Sequence, residues 1–165
     1  MPSGKVSVQM VLRHPVHLIS FGLGTGLFPK APGTVGTLLG FALFWPLMSL
    51  DTVGQAAALA LLFLFGAVAC QVTGKAVGEA DHSGIVIDEI VCFAMVLAFV
   101  PRSAAWWGAA FVAFRFFDIV KIWPASWVDR NMKNGLGVML DDFVAAGFAV
   151  VVLVGMQAAL GAGAA

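Results

Sequence analysis

Three stretches of this chain, residues 31–50, 52–74 and 143–165, run the length of a membrane helix without one charged side chain. A helix rises 1.5 Å per residue, so about 20 apolar residues cross a hydrocarbon layer of about 30 Å. Each run can do so. The chain has 165 residues, 61% hydrophobic and 11% charged, whereas soluble domains carry about 25% charged residues. That apolar surplus exceeds what one core can hide, and lipid is the solvent that suits it. Pro32 and Gly33 place the start of the first helix near Thr34.

Two further apolar segments, 90–100 and 103–114, are each too short alone by about half. They reach spanning length only by taking in residues 85–89 at one end and 115–123 at the other. Val100-Pro101-Arg102-Ser103 between them reads as a tight helix hairpin. The expected fold is all-α: a multi-pass membrane helical bundle of about five spans. Residues 1–14 are read as a flexible N-terminal tail and 15–165 as a single membrane-embedded domain. Lys5 and Arg13 are not followed by a short apolar core and a small-residue cleavage site, so no signal peptide is expected.

Charge sets the orientation. With the N-terminus cytoplasmic, five spans put Lys5, Arg13, Lys30, Lys75, Arg115, Lys121, Arg130 and Lys133 on or near the inner side and leave only Arg102 outside. That is a strong positive-inside bias. Trp106 and Trp107 fall by the outer turn, Trp123 and Trp127 by the inner boundary, as an aromatic belt would have them. Gly36 and Gly40 form a GxxxG suited to close helix packing, and the 14 Phe read as lipid-facing and core bulk. Lys plus Arg and Asp plus Glu number nine each, so nucleic acid is not an expected partner. Cys70 and Cys92 lie in apolar runs without metal-ligand spacing and read as structural thiols.

The hairpin has a geometric consequence. Counting back twelve residues from Pro101 gives Glu89, and forward twelve from Ser103 gives Arg115. In an antiparallel pair these lie at one depth, near the inner face. Asp118 and Lys121 follow Arg115 on one helical stripe, and Asp141 and Asp142 are expected to open the last span at the same level. Ionisable groups inside a membrane are costly and mark functional sites. The bland readings are a helix cap for Asp141 and Asp142 and a structural ion pair for Glu89 with Arg115. Asp88 beside Glu89 is harder to dismiss, because adjacent carboxylates repel unless a cation sits between them. Mg²⁺ takes carboxylates together with substrate phosphate, and Arg and Lys suit phosphate oxygens. The rim therefore points to metal-assisted phosphate chemistry, by attack of metal-bound water.

Other phosphatase signatures are missing. Neither cysteine is followed six residues later by Arg, and no Asp-x-Asp occurs. Arg13-His14-Pro15 lacks the strand context of a phosphohistidine motif. Gly22-Leu23-Gly24-Thr25-Gly26 is either a tight re-entrant turn or a phosphate cradle of backbone amides. His14, His17 and His82 read as interfacial polar residues.

Segment 17–36, His-Leu-Ile-Ser-Phe-Gly-Leu-Gly-Thr-Gly-Leu-Phe-Pro-Lys-Ala-Pro-Gly-Thr-Val-Gly, resembles the opening motif of the phosphatidylglycerophosphatase A family. So does Asp81-His-Ser-Gly-Ile-Val-Ile-Asp-Glu89. Phe114-Arg-Phe-Phe-Asp-Ile-Val-Lys-Ile-Trp-Pro124 is similar to the family's Arg-x-x-Asp-x-x-Lys-Pro-x-Pro segment, with Ile122 where a first proline is usual. Asp129-Arg-Asn with Gly135-Leu-Gly-Val-Met-Leu-Asp-Asp142 completes four blocks in the family's order. The resemblance implies a Mg²⁺-dependent, all-helical enzyme of the bacterial inner membrane, its active site facing the cytoplasm. The implied reaction, a step of phospholipid biosynthesis, is hydrolysis of phosphatidylglycerophosphate to phosphatidylglycerol and phosphate. On this reading Asp88, Glu89, Asp141 and Asp142 hold metal. Arg115 and Lys121 grip phosphate, and Asp118 orients Arg115. The Gly24-Thr25 and Gly33-Thr34 turns meet the head group. Two rivals stay open: a small ion-coupled transporter, and a CDP-lipid-dependent transferase, which the missing Asp-Gly-x-x-Ala-Arg motif disfavours.

Overall fold

The structure, a computed structural model, describes residues 7–162. Lys5 and the last three residues of the third apolar run lie outside them. Every regular element among the described residues is helical. In chain order they are α1 (Val8–Arg13), α2 (Pro15–Ser20), a 3-10 segment (Gly22–Leu27), α3 (Pro32–Leu47), α4 (Thr52–Val77), α5 (Ile87–Leu97), α6 (Ala104–Val120), α7 (Ala125–Asn131) and α8 (Gly135–Ala162). Val8–Arg13, read above as tail, is a short helix with Val11 fully buried.

Local chemistry sets the helix ends. Asp51 caps α4 by accepting from the Gly54 amide, and Gly78 closes that helix in the left-handed region. Ser103 caps α6. Pro32 begins α3 two residues before the expected start, because proline suits a first turn whose amides lack partners. α8 begins at Gly135, well before the uncharged run. Asp141 and Asp142 are therefore inside the helix, which removes the capping explanation for them.

Two helices, α4 and α8, are long and apolar enough to cross a membrane. α3 is a shorter apolar helix, and α5, with 11 residues, is shorter than the span expected over that segment. The chain leaves helical geometry from Gly78 to Val86, so residues 85 and 86 lengthen no helix.

α5 is the centre of the assembly. It packs on α3, α4, α6 and α8, and Val91, Cys92, Phe93, Ala94 and Val96 are fully buried. A helix apolar all round belongs in a core. Gly36 and Gly40 do pack helices closely: a Cβ on Gly36 would lie 2.7 Å from Val86 Cβ, and one on Gly40 2.6 Å from the Phe93 ring. Phe41 meets Phe93 edge-on with centroids 4.8 Å apart. The outer faces stay apolar: Leu61 of α4, Ile119 of α6 and Val151 of α8 are each more than two-thirds exposed.

Candidate active site

Three helix segments converge. α5 starts with Asp88 and Glu89 in its first turn, α6 ends with Arg115, Asp118 and Lys121, and α8 brings Asp141 and Asp142. Arg115 Nη1 donates to Glu89 Oε1 at 2.9 Å and to Asp118 Oδ2 at 2.5 Å. The depth match expected from the hairpin is realised as a direct ion pair.

Thr37 joins this group, accepting from Arg115 Nη1 at 3.3 Å while its own hydroxyl donates to Gly33 O at 2.8 Å. Gly33 is a necessity here, since a Cβ would run into the Glu89 carboxylate. Thr34 lies beside it, half-buried in the first turn of α3.

Lys121 departs from the expected stripe. It is the C-terminal cap of α6, with a left-handed φ of 46°, so its side chain turns toward α7 and α8. Its ammonium donates to Asp141 Oδ2 at 2.5 Å and to Asp129 Oδ1 at 3.1 Å. Lys133 Nζ stands 3.7 Å from the same Asp129 oxygen. Burial alone would raise the Asp129 pKa, but the Lys121 hydrogen bond and the charges of Lys121 and Lys133 outweigh it and hold it below the usual carboxylate value. Asp81, Asp129 and Asp141 line one narrow cleft.

The candidate residues thus form two linked groups, one around Arg115 and one around Lys121. Asp88 and Asp142 are buried; Asp88 feels the charges of Glu89 and Asp141, and Asp142 those of Asp118, Asp88, Asp141 and Glu89. Buried polar atoms normally find partners. In this cluster Asp88 Oδ1, Glu89 Oε2, Asp141 Oδ1, Asp142 Oδ2 and Arg115 Nε have none within the protein.

For a hard divalent cation this donor set fits in kind, being all carboxylate oxygen. Among the described residues no three His, Cys, Asp or Glu side chains make a ready metal cage. Mg²⁺ is commonly held by one or two carboxylates with water and substrate phosphate completing the shell, so paired acids meet the requirement.

Gly24 and Thr25 make no side-chain hydrogen bond to the charged residues. A Cβ on Gly24 would meet nothing, and the Thr25 hydroxyl donates to Gly22 O. The 3-10 segment instead braces the start of α5, with Gly22 against Val86 and Ile90. His17 is buried within the protein: its Nδ1 lies 2.9 Å from Thr73 Oγ1, which donates to Ser20 Oγ at 2.9 Å. This ties α2 to α4.

Asp129 and Thr37 are the residues sequence reasoning passed over. Asp129 stood in a quoted motif block, which was the available signal. Thr37 sat in an apolar run and carried none.

Fold and charged centre define the class, an all-helical apolar bundle in which three helices bring acids and bases together. The chain belongs to the phosphatidylglycerophosphatase A family, whose family model matches residues 18–157. It is 45% identical over 151 residues to phosphatidylglycerophosphatase A of Haemophilus influenzae, covering 90% of this chain and 93% of that one. It is 39% identical over 139 residues to phosphatidylglycerophosphatase A of Escherichia coli, covering 83% and 80%. A Bacteroides thetaiotaomicron protein, named as a candidate phosphatidylinositol-3-phosphatase, is 36% identical over 143 residues, covering 82% and 89%. No solved structure matches the chain.

Proposed function

We propose that this protein hydrolyses the terminal phosphomonoester of phosphatidylglycerophosphate, giving phosphatidylglycerol and inorganic phosphate for phospholipid biosynthesis. It does so with Mg²⁺ at the cytoplasmic face of a bacterial inner membrane. The observation that carries the reading is the set of unpartnered, buried carboxylate oxygens beside Arg115 and Lys121. The names of the two relatives supply the substrate.

Hydrolysis adds water across a phosphorus–oxygen bond: hydroxide joins phosphorus, and the proton goes to the departing glycerol oxygen. Catalysis is mainly positioning and stabilisation of negative charge. Arg115 has five N–H donors. Its Nη1 is held by Glu89, Asp118 and Thr37, which fix the plane of the guanidinium beside the carboxylates. Lys121, steadied by Asp129 and Asp141, offsets charge that grows in the transition state. Asp88, Glu89, Asp141 and Asp142 would hold Mg²⁺, which when bound activates water and neutralises phosphoryl charge.

The membrane reading draws on surface as well as length. Only 22% of the apolar window in either α4 or α8 is buried, whereas the core helix of a soluble protein is mostly covered. Gln157 Nε2 donates to Phe99 O at 3.1 Å, so the α5–α6 hairpin tip is level with the far part of α8. From Asp142 to Gln157 is about 22 Å at 1.5 Å per residue. That reach puts the charged centre and the hairpin tip toward opposite ends of the bundle, as the proposed orientation requires.

Phosphate release by the purified protein in detergent, from phosphatidylglycerophosphate with Mg²⁺, tests the activity. Turnover is expected. Its absence, in protein that stays monodisperse, would refute the assignment.

A further inference from the structure

A polar pocket of about 370 Å³ lies beside the charged centre and takes no part in the mechanism above. It sits between the end of α4 and the start of α8, with Gln71, Gly74, Lys75 and Glu79 on the α4 side and Lys133 and Gly135 on the other. Gln71 Oε1 accepts from the Gly135 amide at 2.9 Å, which ties the two sides together. Two features join this pocket to the cleft of Asp81, Asp129 and Asp141. Lys133 lines both, and Ala80 of the pocket is followed directly by Asp81 of the cleft. Lys133 Nζ stands 3.7 Å from Asp129 Oδ1 and Lys121 Nζ 3.1 Å from the same oxygen, so the two ammonium groups are no farther apart than those lengths laid end to end. The Lys133 pair is exposed, with its side chain 59% accessible, and holds the ammonium only weakly.

We propose that the pocket of Lys75 and Lys133 receives the phosphodiester of the lipid while its terminal phosphomonoester meets Arg115 and Lys121. The two lysines then select a lipid with two phosphates over one with a single phosphate. The inference rests on the lipid-phosphatase reading above. Phosphatidylglycerophosphate carries both groups, one at each end of a glycerol. Six bonds separate its phosphorus atoms, a reach of about 7 Å at the bond lengths of an extended chain, which matches the largest separation open to the Lys121 and Lys133 ammonium groups. Two lysines against one carboxylate, Glu79, leave the lining positive, and ammonium groups bind phosphate as point charges.

Initial rates are measured in micelles of a neutral detergent with dioleoyl phosphatidylglycerophosphate and with an analogue whose phosphodiester is capped as its neutral methyl triester. The terminal phosphomonoester, where hydrolysis occurs, is the same in both. Wild type should prefer the charged lipid about 10-fold in kcat/KM, the contribution of one charge-assisted hydrogen bond. In the Lys75→Gln, Lys133→Gln double variant that preference should fall to about twofold or less, each single change carrying part of the loss. Lys75→Gln should act through KM with kcat near wild type, the mark of binding shared by ground and transition states.

Glu79→Gln removes the carboxylate that opposes an anion in this pocket, so it should lower KM for the charged lipid and leave the neutral analogue unchanged. A wild type blind to the diester charge, or a double variant that keeps the full preference, overturns the proposal. So does a loss of kcat/KM that is equal for both lipids, which would make the lysines structural or general attractors of anionic lipid. Turnover of the neutral analogue shows that each variant is folded. If the wild type releases phosphate from neither lipid, the lipid-phosphatase reading itself fails.

Discussion

Lys121 Nζ lies 2.5 Å from Asp141 Oδ2, joining the end of α6 to the interior of α8. Asp129 holds the same ammonium from α7. Lys121 is thereby aimed by two carboxylates on two other helices, and its reach depends on both.

Asp129→Asn removes one of those anchors without removing a group assigned to metal or phosphate. We expect kcat to fall about 10-fold, less than for Asp141→Asn, because a positioning loss is smaller than loss of a charge at the centre. The folded-state pKa of Asp129 is depressed, so its ion pair stabilises the protein above the unfolded value and is lost as pH falls through the lower folded value. The Tm advantage of wild type over Asp129→Asn should thus be full at pH 7 and shrink as pH falls below the ordinary aspartate value of 3.8. Thermal unfolding in detergent against pH measures this; a gap constant down to pH 3 would contradict it.

Asp88→Asn, Glu89→Gln and Asp142→Asn change charge with little change of volume. Each should cost about 10²-fold or more in kcat, with folding largely kept. Arg115→Lys should also fail, since a point charge cannot replace a guanidinium held by Glu89, Asp118 and Thr37. Turnover per folded molecule, taken after size-exclusion chromatography, decides. Near wild-type turnover in both Glu89→Gln and Asp142→Asn would make the charged centre scaffold only.

Gly33→Ala tests the close approach of α3 to α5. The added methyl must displace the Glu89 carboxylate and with it the Arg115 pair. Activity should drop about 10-fold or more, because an ångström of misplacement can cost that much. Gly24→Ala, whose Cβ meets nothing but whose φ of 102° strains any other residue, should lower thermal stability and leave turnover per folded molecule near normal. Equal turnover in the two variants would remove Gly33 from the site.

Metal dependence gives a direct readout. Activity should vanish in EDTA and return with Mg²⁺, as carboxylates left without protein partners imply. Full turnover after dialysis into excess chelator would take the metal out of the mechanism.

Topology follows from the eight-to-one charge asymmetry. In a Cys70→Ala, Cys92→Ala background, single cysteines replacing Arg102 and Lys133 should label from opposite sides of intact cells. Reaction of both with an impermeant reagent from outside would break the five-pass layout.

Helicity and the tight turn at Pro101 were legible in the sequence because they depend on residues a few positions apart. So was the pairing of Glu89 with Arg115, since a tight turn at Pro101 makes their depth a matter of counting. The lines for α5 and α8 were less legible. Hydropathy marks where charges stop, while a helix stops where its backbone loses partners, so α8 took in Asp141 and Asp142 and α5 began only at Ile87. Tertiary structure alone decided that Lys121 leaves the Arg115 stripe and that Asp129 and Thr37 join the centre. Those outcomes turn on the left-handed cap at Lys121 and on how closely α3 approaches α5. The first is one residue's departure from helical geometry and the second a contact between segments far apart in the chain, and no helical period encodes either.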